Sequence, residues 1–208
     1  MRRLALATSL LSLVALVAIF GFAPRESSMG DVQRIVYLHV SVAWCGLVSS
    51  IALGFCGAAY LCNRNLNWDD SGLAAAEIGW LTTTLTLATG SLWAREAWGV
   101  WWTWEPRLMS AFILWLIFSG YFVLRSAFDE QAERRARACA VLGILGVADV
   151  PLVILATRWF RGMHPVSPEM DPRMRIVLLV SVVAFSTLFL LLAVARRRQL
   201  TELRHAQS

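Results

Sequence analysis

Five tryptophans and two histidines are the residues of this chain whose types and positions could do chemistry. The tryptophans fall within the stretch from Trp93 to Trp104, which also contains Arg95 and Glu96. His39 and His164 are far apart in the sequence, and each lies near one end of an apolar run. Imidazole nitrogens bind metals, and indole rings pack against flat apolar molecules. Together they predict a site for a flat ligand that carries a metal.

The tryptophans are too concentrated for simple membrane anchoring. Trp98, Trp101 and Trp102 have i, i+3, i+4 spacing, so a short helix on the membrane surface would carry them on one face. We expect Trp104 to belong to the same aromatic platform. An aromatic belt at the headgroups also collects tryptophan at helix ends, but it explains this density less well. Gly99 predicts a bend or a close backbone approach within the stretch.

The two histidines gain their interest as a pair. Imidazoles from separate segments at one membrane surface can take both axial positions of a heme iron. On its own, His39 fits an interfacial histidine that is hydrogen-bonded, and a single histidine in a loop, such as His164, usually has no function. His205 lies in a charged tail without such a companion. The helical face of His39 continues with small residues that allow a helix or a flat ligand to approach: Ala43, Gly46, Ser50 and Gly54.

Arginines near these residues could bind the propionates at one edge of a porphyrin. Arginine holds a carboxylate through two parallel hydrogen bonds. We select Arg95 and Arg107 from five candidates, of which at most two are expected to bind the ligand. Each candidate could instead pair with Glu96, with Glu105 or with a lipid phosphate. The five candidates are Arg34, Arg95, Arg107, Arg158 and Arg161.

Two acidic residues occupy unusual positions. Pro106 is expected to open a helix, so Glu105 would be its cap, an orienting partner for an arginine or a ligand-binding residue. Asp149 lies deep in an apolar run and should face the protein interior, because a charge in lipid costs about 2.5–3.5 kcal/mol. Its partner would be a threonine among Thr82–Thr89, or it would belong to a functional polar pocket. Pro151 is expected to kink the helix.

The composition indicates a polytopic membrane protein. Hydrophobic residues make up 58% of the 208 residues, and the mean hydropathy is +0.60. Six runs approach the roughly 20 apolar residues that a membrane-spanning helix needs. We predict an all-α fold with one six-helix membrane domain and a tryptophan-rich loop at 93–108 between helices three and four. The predicted spans are residues 4–22, 35–61, 73–93, 108–124, 138–157 and 174–195.

Arginine positions predict the orientation of these spans. With both termini in the cytoplasm, eleven of the nineteen arginines lie on that side, in agreement with the positive-inside rule. The outer connections are then 23–34, the tryptophan stretch and 158–173, and the inner connections 62–72 and 125–137 are expected to be plain solvated turns. The first run exceeds a signal-peptide core and is expected to remain as a span. Dispersed charge argues against nucleic-acid binding, and the cysteine spacing predicts neither disulfides nor a zinc site.

Three segments resemble one known family. WGVWWTWEPRL, residues 98–108, is similar to the tryptophan-rich WWD signature of a superfamily of heme-handling proteins. QRIVYLHVSVAW, residues 33–44, and RGMHP with the downstream MDPRM resemble the cytochrome c maturation protein C family, the CcmC-type heme exporters or heme lyase components. The resemblance covers all six spans. Glu105 stands where the family usually has aspartate, and Ser41 stands where it usually has proline, which predicts a straighter second helix.

The resemblance implies a protein of the bacterial inner membrane whose WWD loop faces the periplasm. It implies that heme b binds between His39 and His164 as axial ligands. It also implies association with the ATPase and permease subunits of an ABC transporter and with a small membrane subunit. The heme would pass to a membrane-anchored periplasmic heme chaperone during c-type cytochrome biogenesis.

Three other functions fit parts of the sequence. A direct cytochrome c heme lyase or synthase shares the WWD loop, but it would have more spans and more histidines. A b-type cytochrome membrane subunit needs heme ligands at two depths, and the inner half of this bundle has no histidine. A permease is supported only by Asp149 and the threonines of helix three. The sequence contains no evident hydrolytic or redox active site. A contribution to the attachment of heme to the chaperone is left open.

Overall fold

The computed structural model describes residues 1–128, 130–160, 162–164 and 170–207. Arg161 and the proline of the RGMHP segment lie outside the described residues. A π-helical turn, Ala18–Phe22, extends the first helix, and a 3-10 turn, Asp31–Arg34, leads into the second. The described residues confirm the all-α fold. Its helices are α1 (Arg2–Val17), α2 (Ile35–Asn63), α3 (Leu66–Trp98), α4 (Pro106–Ala127), α5 (Ala132–Val147), α6 (Asp149–Trp159) and α7 (Pro172–Gln207).

The helices form a multi-pass membrane bundle in which α5 and α6 together make one pass. Five segments of the described chain are long and apolar enough to cross a membrane. α3 is not among them, because acidic residues and threonines are spread along it. It packs instead against α2, α4 and α7, which shield its polar residues from lipid. The five segments are residues 2–22, 31–63, 106–127, 132–156 and 172–206.

The turn predicted at 62–72 is wrong, because α3 already begins at Leu66. The side chain of Asn65 caps this helix by accepting the N–H of Asn67 at 2.9 Å. Asp69 is buried and accepts from both terminal nitrogens of Arg125, at 2.8 Å each. The change in hydropathy therefore marks where the apolar run begins and not where the helix begins, because the first turns of α3 are polar and ion-paired. Two more ion pairs, Arg204–Asp70 and Arg196–Glu77, fasten α7 to this part of α3.

The ridge of small residues on α2 is a packing surface, as its pattern predicts. A methyl group at Gly46 would lie 3.0 Å from Cγ2 of Thr83 on α3. Ser50 donates a hydrogen bond to the carbonyl of Gly146 on α5 at 3.3 Å. Ser41 donates to the carbonyl of Tyr37 at 2.6 Å, and α2 continues through it without a break. These close contacts with α3 and α5 fix the position of α2 in the bundle.

The pass formed by α5 and α6 is interrupted at Ala148, close to the position expected from Pro151. Because Pro151 has no N–H, the carbonyl four residues before it receives no helical hydrogen bond. Asp149 is 5% exposed and faces the interior, as expected. Its carboxylate oxygens have no hydrogen-bond partner in the described part of the chain. The threonine partner considered for it is not found, since threonines such as Thr82 donate to carbonyls of their own helix, at 2.7 Å to Ile78.

Candidate functional site

A cavity of about 600 Å³ lies at the end of the bundle that carries Gln33, Trp98, Trp101 and His164. Helices α2, α3, α4, α6 and α7 all contribute to its wall. The volume falls within the range of roughly 300–1,000 Å³ that is typical of small-molecule and cofactor sites. Six of the residues selected from the sequence line this cavity: His39, His164, Trp98, Trp101, Trp102 and Arg107.

His39 is held on α2 by a side chain of α3. Its Nδ1 lies 3.0 Å from Oγ1 of Thr89, and that hydroxyl donates its own proton to the carbonyl of Leu85 at 2.6 Å. Where Thr89 gives its one proton to the carbonyl of Leu85, its oxygen accepts the Nδ1–H of the imidazole. Nε2 therefore keeps its lone pair. A neutral imidazole with one nitrogen hydrogen-bonded and the other free is the form that ligates a metal.

Gly90 brings α3 close to the imidazole of His39. A methyl group at position 90 would lie 2.9 Å from Cε1 and 3.8 Å from Nε2 of the ring. Any side chain there would displace the ring or the helix. The adjacent Thr89 and Gly90 thus fix both the tautomer and the position of this histidine.

His164 is held by a different device. It lies in the connection between α6 and α7, where the carboxylate of Glu105 accepts the N–H of Met163 at 2.7 Å and the N–H of His164 at 3.2 Å. Trp98 meets its imidazole edge-on, with the ring centres 6.2 Å apart. A methyl group at Gly162 would collide with the Glu105 carboxylate. The connection can approach Glu105 only because residue 162 has no side chain.

Among the described residues, Glu105 is neither a side-chain cap nor the hydrogen-bonded partner of an arginine, the two structural roles considered for it. It is the residue that precedes α4, and Pro106 opens that helix as predicted. Its side chain makes no capping hydrogen bond, because both carboxylate oxygens accept from the 162–164 segment instead. Only the tertiary structure brings these two segments together.

The short surface helix expected for Trp98, Trp101 and Trp102 is wrong. α3 ends at Trp98, and Gly99 has a φ of +75° with its N–H bonded to the carbonyl of Arg95 at 3.0 Å. This confirms the bend predicted at Gly99, and residues 100–105 are not helical. The left-handed Gly99 ends α3 and Pro106 begins α4, and the short segment between them forms no helix of its own.

The tryptophans divide into two groups on either side of this bend. Trp98 packs edge-on against Trp93 with ring centres 5.4 Å apart, and the indole N–H of Trp93 donates to Gln33 at 3.2 Å. Trp102 packs against Phe112 of α4 with ring centres 6.3 Å apart. Trp104 contacts Trp102 but is 76% exposed and does not line the cavity.

The arginines separate according to whether they reach the cavity. Arg107 lines it and donates to the carbonyl of Val153 at 3.2 Å. Arg95 donates to the carbonyl of Gly99 at 2.7 Å and lies outside the lining. Arg34 bonds to Asp31 and to a carbonyl of the α1 end, and neither it nor Arg158 lines the cavity.

Comparison with known proteins adds the family. The whole chain, residues 1–208, matches the family described as heme exporter protein C. The chain belongs to the heme exporter protein C family. It is 34% identical over 205 residues to heme exporter protein C of Escherichia coli (strain K12), which covers 95% of this chain and 82% of that protein.

Two further members of the set of relatives extend the comparison. Heme exporter protein C of Bradyrhizobium diazoefficiens is 35% identical over 183 residues, 85% of this chain and 69% of that protein. A putative cytochrome c biosynthesis ccmC-like mitochondrial protein of Arabidopsis thaliana is 30% identical over 154 residues, 74% of this chain and 57% of that protein.

The cavity of this heme exporter protein C family member has the donor set that heme requires. The free lone pair of His39 suits an axial ligand, and the indole walls suit the porphyrin faces. The indole N–H of Trp102 is buried without a hydrogen-bond partner in the described part of the chain. It and the guanidinium of Arg107 are donors that suit a carboxylate. The residues fit the ligand that the family name describes.

The sequence analysis misses four residues at or beside this heme exporter protein C cavity: Thr89 contacts His39, whereas Gly90, Gln33 and Arg175 line the cavity. Thr89 and Gly90 lie in a run of threonines and small residues that gives no sign of which one meets His39. Arg175 opens the last helix next to the 158–173 connection, and that position at the outer end of a predicted span is the signal that could have included it.

Proposed function

We propose that this protein binds heme b at the outer face of the bacterial inner membrane and presents it to a periplasmic heme chaperone during c-type cytochrome biogenesis. The observation that carries the proposal is that His39 and His164, from distant segments, line one cavity with aromatic walls. Membership of the heme exporter protein C family supports a role in c-type cytochrome biogenesis. The name of the plant mitochondrial relative supports the same role.

The residues of the cavity divide the work of holding heme between them. His39, through Nε2, and His164 ligate the iron. Trp98, Trp101 and Trp102 pack against the porphyrin, with each aromatic contact contributing about 0.5–1.5 kcal/mol beyond burial. Two arginines that line the cavity from α4 and α7, Arg107 and Arg175, bind the propionates together with the Trp102 N–H.

The outer rim of the cavity suits a handover. Trp101 lines the cavity and is 57% exposed, and the neighbouring Trp104 is more exposed still. A chaperone can therefore reach this edge without the opening of a buried chamber. Arg95 and Trp104, which were selected from the sequence as heme contacts, belong to the same part of the chain as Trp101 but do not line the cavity.

The orientation and the partners follow from charge and from family. The positive-inside rule puts both termini in the cytoplasm and the cavity on the periplasmic side. We propose that the ATPase and permease subunits of an ABC transporter and a small membrane subunit associate with the bundle. Most of the surface of α1 is open and apolar, with Leu6, Leu10 and Val17 each more than 60% exposed, and we propose that part of this face contacts these subunits in place of lipid.

The heme site is tested by purifying the protein and recording its Soret band. His39→Ala and His164→Ala should each abolish the band or alter it strongly, because each removes an axial ligand. His205→Ala, at the far end of α7, is the matched control and should leave the band unchanged. Unchanged spectra in both cavity variants would contradict the ligand assignment.

The handover is tested by co-purification with the tagged periplasmic chaperone. Wild-type protein should carry the chaperone and heme together, and the two cavity variants should carry less heme in that complex, with the least in His39→Ala. A complex with the same heme content in all three proteins would contradict presentation from this cavity.

No observation favours the alternatives. The two histidines of the cavity lie at one depth, whereas a b-type cytochrome that carries electrons across the membrane needs two. Formation of a thioether-linked cytochrome by this protein alone would favour the lyase alternative. The threonines of α3 are hydrogen-bonded within their own helix, which removes much of the support for a permease.

A further inference from the structure

Glu105 is the point at which the segment of His164 is fastened to the bundle. Its carboxylate accepts two backbone N–H groups, from Met163 at 2.7 Å and from His164 at 3.2 Å. Residues 162–164 lie outside any helix, so helical hydrogen bonds do not hold these amides. Hydrogen bonds to an ionised acceptor are stronger than those between neutral groups. The position of His164 therefore depends on a side chain of another element.

The carboxylate itself is mounted on a rigid element. Glu105 directly precedes Pro106, which begins α4, and its carbonyl accepts the N–H of Met109 at 3.0 Å as the first turn of that helix forms. On the other side, the absent side chain of Gly162 lets the connection reach the carboxylate. Both partners are thus adapted to this contact.

Solvent can compete for the contact. Met163 is 47% exposed, and Glu105 is only partly buried. Segments held by a few exposed backbone hydrogen bonds open locally at much lower free energy than buried helices do. The Thr89 contact of His39 lies between two helices and is buried on the Thr89 side, at 8% exposure.

We propose that Glu105 is a positioning residue for the second iron ligand, and that heme release begins when its contact with residues 163–164 opens and His164 leaves while His39 stays. The proposal rests on the proposed function. It assigns an order to release: residues 162–164 move first, and His39, which belongs to helix α2, is the last ligand to dissociate from the iron.

The first test uses the protein without heme, so it does not depend on the ligand. Hydrogen–deuterium exchange is measured for the peptide that contains Met163 and His164. Glu105→Ala should raise the exchange rate there by about tenfold or more, because it removes two hydrogen bonds to a charged acceptor. Glu26→Ala is the matched control, since Glu26 accepts the N–H groups of Ser28 and Met29 at 2.8 and 2.6 Å in another connection. It should raise exchange only at residues 28 and 29.

The second test measures how readily His164 leaves the iron. Carbon monoxide is the probe, because it binds ferrous heme only where an axial ligand has dissociated. Glu105→Ala should raise the rate of CO binding by about tenfold. His164→Ala should raise it further, and the Glu26→Ala control should match the wild type.

Two milder variants keep the test independent of misfolding. Gly162→Ala displaces the carboxylate while leaving its charge in place, and it should raise both rates in the same direction. Glu105→Asp retains the charge on a shorter arm and should restore both rates toward the wild type. A purely structural role for Glu105 would change thermal stability without this selective change in CO binding.

The outcomes separate the two proposals. Unchanged exchange at Met163 and His164 in Glu105→Ala overturns the tether. Faster exchange with unchanged CO binding overturns the positioning role and the order of release. Wild-type protein without a heme spectrum overturns the proposed function and with it the release order, whereas the exchange result still reports on the tether.

Discussion

His39 and His164 line the same cavity, but the rest of the protein holds them in two different ways. His39 belongs to the continuous helix α2, with its Nδ1 bonded to Thr89 and its ring packed against Gly90. His164 belongs to a connection and is held through its backbone by Glu105. One imidazole is therefore fixed in tautomer and position, while the other is placed through a contact that a local opening can break.

This difference teaches how a transfer site can both bind and release. Two equally rigid ligands would hold heme firmly but would leave no easy first step for its departure. Two equally loose ligands would need to be ordered at every binding event, at a cost in conformational entropy. In the proposed site, one rigid and one tethered ligand would combine retention with release.

The comparison predicts unequal effects for the two histidines, and this is the largest effect expected. His39→Ala should reduce heme affinity by more than the roughly 10–100-fold that loss of an outer-shell partner costs. His164→Ala should keep a measurable fraction of heme with a shifted Soret band, because the fixed ligand remains. Heme per protein after purification is the measurement. Equal losses, or a greater loss in His164→Ala, would break the comparison.

Thr89→Val tests the support of the fixed ligand. It keeps the shape of the side chain but leaves the Nδ1–H of His39 without an acceptor, which should lower heme affinity roughly 10–100-fold. Thr83→Val is the matched control, because Thr83 donates to Gly79 of its own helix at 2.8 Å and contacts no histidine. Titration of purified protein with heme measures both. Equal affinities of the two variants would contradict the role of Thr89.

Gly90→Ala should separate heme binding from stability. The added methyl group must push the His39 ring aside, which should lower heme affinity by about 1 kcal/mol or fivefold. Alanine also favours helix by up to about 1 kcal/mol over glycine, so thermal stability should not fall in step. Gly120→Ala on α4 is the control, since its methyl group would meet only Leu142, at 3.9 Å. Similar heme affinities for both variants would show that the approach of Gly90 does not matter.

The smallest effect concerns Glu26, the other glutamate that holds a connection by backbone amides. The Ser28 hydroxyl and the Met29 amide lower the pKa of Glu26 from 4.5 to about 2. A lowered pKa means that the stabilisation is present above pH 4.5 and is lost as the pH falls through about 2. An NMR titration of the Glu26 carboxyl carbon should give this midpoint. A midpoint near 4.5 would show that the 26–30 loop is not held in this way.

Much of the fold can be read from local patterns. Apolar runs predict the five segments that are long and apolar enough to cross a membrane, Pro106 and Gly99 mark where α4 begins and α3 has ended, and Pro151 marks the break between α5 and α6. α3 is the instructive failure, at the end where it begins. Its first turns are polar because Asp69 and Asp70 are paired with arginines of α4 and α7, and such pairing cannot be seen along a single segment.

The candidate site shows the same division between features that local patterns predict and features that depend on packing. The pairing of His39 with His164 is predictable from their residue type and from the side of the membrane on which each falls. The choice between Arg95 and Arg175 is not, because it depends on which guanidinium turns into the cavity after α3 and α7 have packed. The role of Glu105 is hidden for the same reason, since its partners lie in a distant connection.

By itself, the sequence determined the class of protein and its likeness to heme-handling proteins, and it singled out the two imidazoles that line the cavity. These depend on hydropathy, on residue chemistry and on short motifs, all of which are local properties of the chain. Only the tertiary structure decided that Thr89 orients one imidazole and that Glu105 tethers the other. Such contacts depend on how helices and connections pack in three dimensions, and no periodicity along the chain records that packing.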